Sequence, residues 1–484
     1  MAGMNVAAAR PQLIRGGILI GAAAAVAAAG RLTGALTPHQ AIACGVFTAA
    51  ILGTLFFWRF RLAVAFLGVV LLILTRTLDI PHFITSASLD VILFLVGMMV
   101  VIGALRDLGF FSWVLRLLVS IPNLTGRKFT FLTCTASALL ACAVDEVTSI
   151  IFISNLIFQV RDRLKITDTP FLLMAVIATN IGSAGTMMGN PVGILIGTKA
   201  GLTFGDFIQW AFPPMLAALI LTNLLMMFLF RRWLNTFDAK IRQMQSRGGE
   251  LVALDRRPSW AGMALALMSV AAIASHHQLE LVLELPCNSV LLIAPLACAG
   301  VTMLVKPRRA RHYIETDVDW WTLLFFMFLF AMAGTLTYTH VDQLLARGFS
   351  NACGTSMGIL IPVVFTLSAL GSAFVDNVVF VAAFSPVVEQ LSQRVQDMPL
   401  WWSLLFGACL GGNITMIGST ANIVALGMLE KRGYKITFFG WLRVGLLCTL
   451  LSGAVVTAAL LLTAPLMPEH RAETPAVVQQ QAER

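Results

Sequence analysis

The sequence predicts an all-α polytopic membrane protein, and three observations carry that prediction. Of 484 residues, 58% are hydrophobic and only 12% are charged, against about 25% charged in a soluble globular chain. Apolar runs recur from end to end, among them 83–105, 207–230, 320–332 and 440–462. Most of these approach the ~20 residues with which a helix crosses a hydrocarbon core of about 30 Å. The runs also lack the two-residue alternation of membrane-spanning β-strands, so a barrel is excluded.

The elements follow in order. Within residues 1–38, an alanine-rich stretch at 18–30 follows Arg10 and Arg15. It has features of a signal peptide, and reads rather as an uncleaved first helix. Residues 39–230 form a first repeat with spans near 39–57, 61–76 and 86–105 and an interfacial segment near 110–120. An apolar pair flanking Asp145, a glycine-broken run at 170–197 and a closing span at 207–230 complete it. The hydrophilic stretch 231–258 reads as a cytoplasmic linker. Residues 259–464 repeat the order with spans at 259–276, 288–305 and 320–338, an apolar pair flanking Asp376, a broken run at 400–428 and a span at 440–464. The polar tail 465–484 is predicted to be disordered. His276 and His277 fall at a span end and read as outside-surface residues, while the pairs Trp320/Trp321 and Trp401/Trp402 read as interface anchors.

Charge decides how the apolar pairs around the acids run. If each is a re-entrant hairpin with the acid at its tip, every half has five spans, and all but seven of the 33 Lys and Arg residues fall on one side with the linker. The exceptions are Arg31, Arg76, Lys199, Arg347, Arg394, Arg471 and Arg484, and the majority set includes Arg59 and Arg61 between two early spans. Basic residues collect in cytoplasmic loops, so this side is inside, with the N-terminus cytoplasmic and the C-terminus outside. The expectation is about 11 transmembrane helices in inverted five-helix repeats, each with a re-entrant hairpin and a broken helix, in the inner (cytoplasmic) membrane. The net charge of +9 then marks topology and a lipid bilayer partner, with no nucleic acid.

The chemistry lies in two duplicated motifs. SALLACAVDEVTS at 137–149 and SALGSAFVDNVVF at 368–380 align at an offset of 231, so that Asp145 falls on Asp376. An ionised Asp at the bilayer centre costs roughly 2.5–3.5 kcal/mol on insertion scales. The reversed backbone at a hairpin tip also leaves groups unpaired, which is tolerated only within protein or beside water. Both features call for a polar cavity, holding Asp145, Glu146, Thr148 and Ser149 from one side and Asp376 and Asn377 from the other. The bland alternative is that each Asp only caps the second hairpin helix. TNIGSAGTMMGNPVG at 179–193 and CLGGNITMIGSTAN at 409–422 form the second pair, offset by 229. Glycines at this density, with Pro191, interrupt a helix. Unwound backbone can then coordinate ions, with Asn180, Ser183, Thr186 and Asn190 at one break and Asn413, Thr415, Ser419 and Asn422 at the other. Close helix packing through small residues is the bland reading here.

Other chemistry finds no support. There is no HExxH and no P-loop, histidine is absent from the four motifs, and the cysteines read as packing thiols. The chain is therefore expected not to be an enzyme and to carry no cofactor. A passive channel remains the rival from another class.

At the four motifs the sequence resembles the ion transporter superfamily, in its citrate-transporter-like group, which also holds arsenite permeases and NhaD-type sodium/proton antiporters. FVDNVVFVAAFSP at 374–386, GGNITMIGSTANIVALG at 411–427 and NIGSAGTMMGNPVGILIG at 180–197 carry the likeness. The resemblance implies alternating access, a homodimer, and ion-site positions at Asp145, Thr148, Asn180, Thr186, Asp376, Asn377, Asn413, Thr415 and Asn422. This chain departs from the group's pattern at Glu146, where Asn is common, and at Gly193. The expected function is secondary active transport of a small ion or small-molecule anion, a carboxylate or metalloid oxyanion, coupled to Na⁺ or H⁺. Asp145, Asn180, Asp376 and Asn413 are the candidate Na⁺ ligands, and sodium/proton antiport is the alternative.

Overall fold

In the computed structural model, residues 6–468 are described except 33, 58–59, 122–123, 168, 247–259, 287, 393–394, 396–397 and 434–435. The end of the predicted linker and the tail from 469 onward lie outside the described residues. All regular structure among the described residues is helical. The first half contains α1 (Val6–Leu32), α2 (Pro38–Phe56), α3 (Arg61–Leu74), α4 (Ile80–Ser86), α5 (Leu89–Asp107), α6 (Phe110–Val119), α7 (Gly126–Ala143), α8 (Glu146–Leu164), α9 (Thr169–Gly182), α10 (Pro191–Ala200) and α11 (Phe204–Leu229). After α12 (Arg231–Ser246) come α13 (Trp260–Ala274), α14 (His276–Leu283), α15 (Ser289–Val305), α16 (Pro307–His312), α17 (Trp320–Tyr338) and α18 (Val341–Cys353). The chain closes with α19 (Met357–Ser372), α20 (Asn377–Ser392), α21 (Met398–Gly411), α22 (Thr420–Glu430) and α23 (Phe438–Thr463).

Local chemistry sets these boundaries. Thr37 and Gln40 close a capping box at the start of α2, with Pro38 in its first turn, which satisfies two of the orphan amides of a helix start. Asp145 is extended, with φ 178° and ψ 147°, and its side chain accepts from the Thr148 amide to begin α8. Asn190 does the same for α10 through the Gly193 amide, ahead of Pro191.

Five described helices, α2, α5, α11, α17 and α23, are long and apolar enough to cross a membrane, and α13 with α14, bent by 60°, makes a sixth when counted as one span. The fold is thus that of a polytopic helical membrane protein. Within it, α7 packs on α9 and α19 on α21, while α11 packs on α23. The halves then cross over: α10 packs on α20 and α22 on α8. The remaining long helices form a frame in which α5 meets α15, and α17 meets α2, α3 and α4.

Three sequence expectations change. The stretch predicted as a linker contains a helix, α12, whose Leu234, Phe237 and Ile241 are buried because they recur on one face. Trp401 and Trp402 are buried in the core, the Trp402 ring 4.8 Å from Phe207 and edge-on to it, whereas Trp320 and Trp321 are exposed. His276 is buried with Nδ1 2.8 Å from the Ile273 carbonyl, while His277 is exposed.

Candidate functional site

Each half builds the same local frame. At Gly182 an added Cβ would meet the backbone of Ala138, and at Gly411 it would meet the backbone of Ala369. Only glycine lets the broken helix approach its hairpin this closely. The Thr186 hydroxyl donates to the Cys142 carbonyl and the Thr415 hydroxyl to the Ala373 carbonyl, pairs related by the offsets already present in the sequence. These bonds hold each break, 183–190 and 412–419, against the tip of its own hairpin.

The breaks then meet each other. Asn180 Nδ2 donates to Asn413 Oδ1 at 2.8 Å and to Asn422 Oδ1 at 2.9 Å, while Asn180 Oδ1 accepts from Ser419 Oγ at 3.0 Å. Asn190 Nδ2 donates to Ser183 Oγ at 2.9 Å and lies 3.1 Å from Cys409 Sγ. Asn422 Nδ2 in turn donates to the Gly412 and Thr415 carbonyls at 2.8 and 2.9 Å, satisfying backbone that no helix pairs. Asn180, Asn413 and Asn422 have no exposed surface. Buried amides of this kind hold their geometry because every donor has an acceptor.

The acids stand around this junction in different ways. Asp145 Oδ2 accepts from the Thr148 amide and hydroxyl, both at 2.8 Å, so the capping reading describes its observed contacts. Glu146 reaches further: its Oε1 lies 3.4 Å from Ser419 Oγ of the other half. Its Oε2 is buried with no hydrogen-bond partner among the described residues. Asp376 accepts from the Val378 amide at 3.0 Å and from the Thr420 hydroxyl at 2.9 Å. In the amide orientation that satisfies its surroundings, Asn377 donates to the Gly418 carbonyl at 2.7 Å. Ser149 donates to the Ser137 carbonyl at 2.7 Å and braces the hairpin.

Of the residues singled out in the sequence, Glu146, Asn180, Asn413, Ser419 and Asn422 form one connected set, with Ser183 and Asn190 beside it. Asp145 with Thr148 and Asp376 with Thr420 form two flanking groups, so the four candidate Na⁺ ligands divide among three hydrogen-bonded clusters. Thr186, Thr415, Asn377 and Ser149 serve the backbone around them. Sequence reasoning missed Thr420, missed Cys409, which occupies the position of Asn180 at the 229 offset, and missed Trp441, whose Nε1 donates to the Asn413 carbonyl at 3.0 Å. It counted Arg61 with the inside basic residues but did not foresee that this side chain is only 4% exposed.

A helical membrane fold whose buried polar junction is built from two interrupted helices defines a transport protein. Residues 51–407 and 288–479 match the citrate transporter family, and the chain belongs to that family. It is 34% identical over 379 residues to an uncharacterized transporter of Mycobacterium tuberculosis, covering 77% of this chain and 84% of that protein. It is 25% identical over 441 residues to the human (Homo sapiens) P protein, covering 76% of this chain and 52% of the relative. Among solved structures, the YdaH transporter of Alcanivorax borkumensis aligns with a TM-score of 0.54 at 17% identity over 80% of this chain and 87% of that one, a likeness of fold.

Proposed function

We propose that the chain is a secondary active transporter of the cytoplasmic membrane that couples a small anion, a carboxylate or metalloid oxyanion, to Na⁺ or H⁺ by alternating access. The observation that carries this reading is Glu146 Oε2, a buried carboxyl oxygen with no hydrogen-bond donor among the described residues, at the meeting point of the two breaks. Leaving a buried acceptor unpaired costs about 1–3 kcal/mol, more for a charged group, and a proton or a cation removes that cost. In this reading the hairpins are re-entrant, the repeats are inverted, the polar residues of the breaks complete the substrate site, and the N-terminus is cytoplasmic.

The reading is tested in proteoliposomes under imposed Na⁺ or pH gradients, with citrate-like carboxylates, arsenite and ²²Na⁺ as probes. Gradient-driven uptake of one probe, lost when Asp145 and Asp376 are both changed to Asn, is the expected result. Flux that ignores both gradients would instead mark a channel. Sodium/proton antiport is favoured as second reading by the three carboxyls set around one buried junction, Glu146 against Ser419 and Asp376 against the adjacent Thr420, which repel an unaccompanied anion. Uptake of ²²Na⁺ driven by a pH gradient alone would select it.

A further inference from the structure

The first hairpin carries a line of buried hydroxyls that the second lacks. On α7, Thr130, Thr133 and Ser137 recur at intervals of three and four, so they share one face, and all three are buried. The upper end of the line is hydrogen-bonded: Ser137 Oγ lies 2.6 Å from Thr179 Oγ1 of α9 and 3.5 Å from Ser149 Oγ of α8. This face therefore looks between α8 and α9, both of which pack on α7. Lower down, the hydroxyls of Thr130 and Thr133 have no partner among the described residues. A threonine within a helix readily returns its proton to the carbonyl four residues back. The buried Thr302 and Thr335 do so at 2.7 and 3.0 Å, and Thr179 at 2.8 Å, whereas Thr130 and Thr133 turn away from their own backbone.

The line joins the hairpin base to the junction. Thr130 stands three residues after the exposed Arg127, and Ser149 stands three residues after Glu146, on the same buried face of α8. In the second hairpin the 231 offset puts Ile361, Val364 and Phe380 where Thr130, Thr133 and Ser149 stand, and the 229 offset puts Ala408 where Thr179 stands. Of the five positions only Ser368, the match of Ser137, keeps a hydroxyl. A buried hydroxyl without a partner is costly, and water relieves it where several polar groups line the space. Hydroxyl residues one turn apart have Cβ atoms about 5–6 Å from each other, a gap that one bridging water spans. We propose that Thr130, Thr133, Ser137, Ser149 and Thr179 hold a file of water that carries protons between the hairpin base and Glu146, which makes H⁺ the coupling ion of the first hairpin. At each hop an oxygen gains one O–H bond and gives up another to its neighbour, so the file keeps its composition and the proton ends on the Glu146 carboxylate. The relay rests on the transport reading for the part played by Glu146.

Two readouts keep the water file and the transport reading apart. Thr130→Val and Thr133→Val replace a hydroxyl by a methyl of similar shape. In a dry site the change removes an unpaired polar group and raises the melting temperature in detergent; in a hydrated file it removes a ligand of water, and the melting temperature is expected to stay level or fall. A rise in both variants would overturn the file. In proteoliposomes, with citrate, arsenite and ²²Na⁺ as probes, uptake driven by a pH gradient is expected to fall roughly tenfold or more in the double variant, since positioned proton transfer contributes at least about that much. Ser368→Ala is expected to keep the native rate. Native uptake in the double variant, or an equal loss in Ser368→Ala, would overturn the relay. If only a Na⁺ gradient drives uptake by the native chain, the relay falls and the transport reading stands; if neither gradient does, both fall.

Discussion

The two hairpins descend from one pattern and use it differently. At the first tip the acids are adjacent: Asp145 caps its own helix while Glu146 crosses to Ser419. At the second tip Asp376 turns to Thr420 and Asn377 binds the adjoining break. The bases differ as well. Lys240 of α12 donates to the Leu164 and Lys165 carbonyls at 3.0 and 2.7 Å, which caps α8. Asp238 accepts from the Arg127 amide at 3.1 Å, and Phe237 packs its ring on Phe129, Phe171 and Trp233. The second hairpin has α18 packed on α20, with Asp342 buried between them. A shared backbone scaffold therefore leaves the polar side chains free to diverge, and it is the departures from symmetry that carry the distinct roles.

Six variants test that contrast. Phe237→Ala should cost the most, about 3–5 kcal/mol as for other buried aromatics, read as a lower melting temperature with faster hydrogen exchange in α7, α9 and α12, the helices its ring packs on. Equal acceleration in α19 and α20 would erase the claimed difference between the bases. Glu146→Gln should reduce gradient-driven uptake by roughly 30- to 150-fold, the equivalent of about 2–3 kcal/mol for a charged contact. Unchanged uptake would shift the coupling role to the aspartates. Gly182→Ala and Gly411→Ala should each lose about 1–3 kcal/mol by overpacking, and by similar amounts, because both meet backbone. Unequal losses in thermal unfolding would show that the shared scaffold is not shared. Asp145→Ala should lower stability by about 1 kcal/mol, and Asp145→Asn by much less, since Asn caps as well as Asp; a large loss with Asn would mean the charge matters beyond the cap.

Much of this was legible before any coordinates. The offset of 229 already paired Thr186 with Thr415 and Gly182 with Gly411, and those residues make matching contacts in the fold. The division of labour between Asp145 and Glu146 was not legible, because successive positions at a helix start point about 100° apart and only the packing says which direction meets the other half. The contacts from Asn190 to Cys409 and from Asn180 to Ser419 join residues more than two hundred positions apart, and no local pattern announces them. Helix α12 was present as an apolar stripe at Leu234, Phe237 and Ile241, masked by the surrounding charge. Arg61 was counted on the inside from its place near a span end, and its burial against Thr322 and Phe325 of α17 could not be read from that place.

At Gly182 and Gly411 main chain lies against main chain with nothing interposed. A hairpin and its broken helix therefore cannot be prised apart or slid along each other without tearing the join that glycine permits. Each hairpin is thereby welded to its broken helix as one packed unit, and the faces of α10 and α20 towards α5 and α17 are joined without any such main-chain weld.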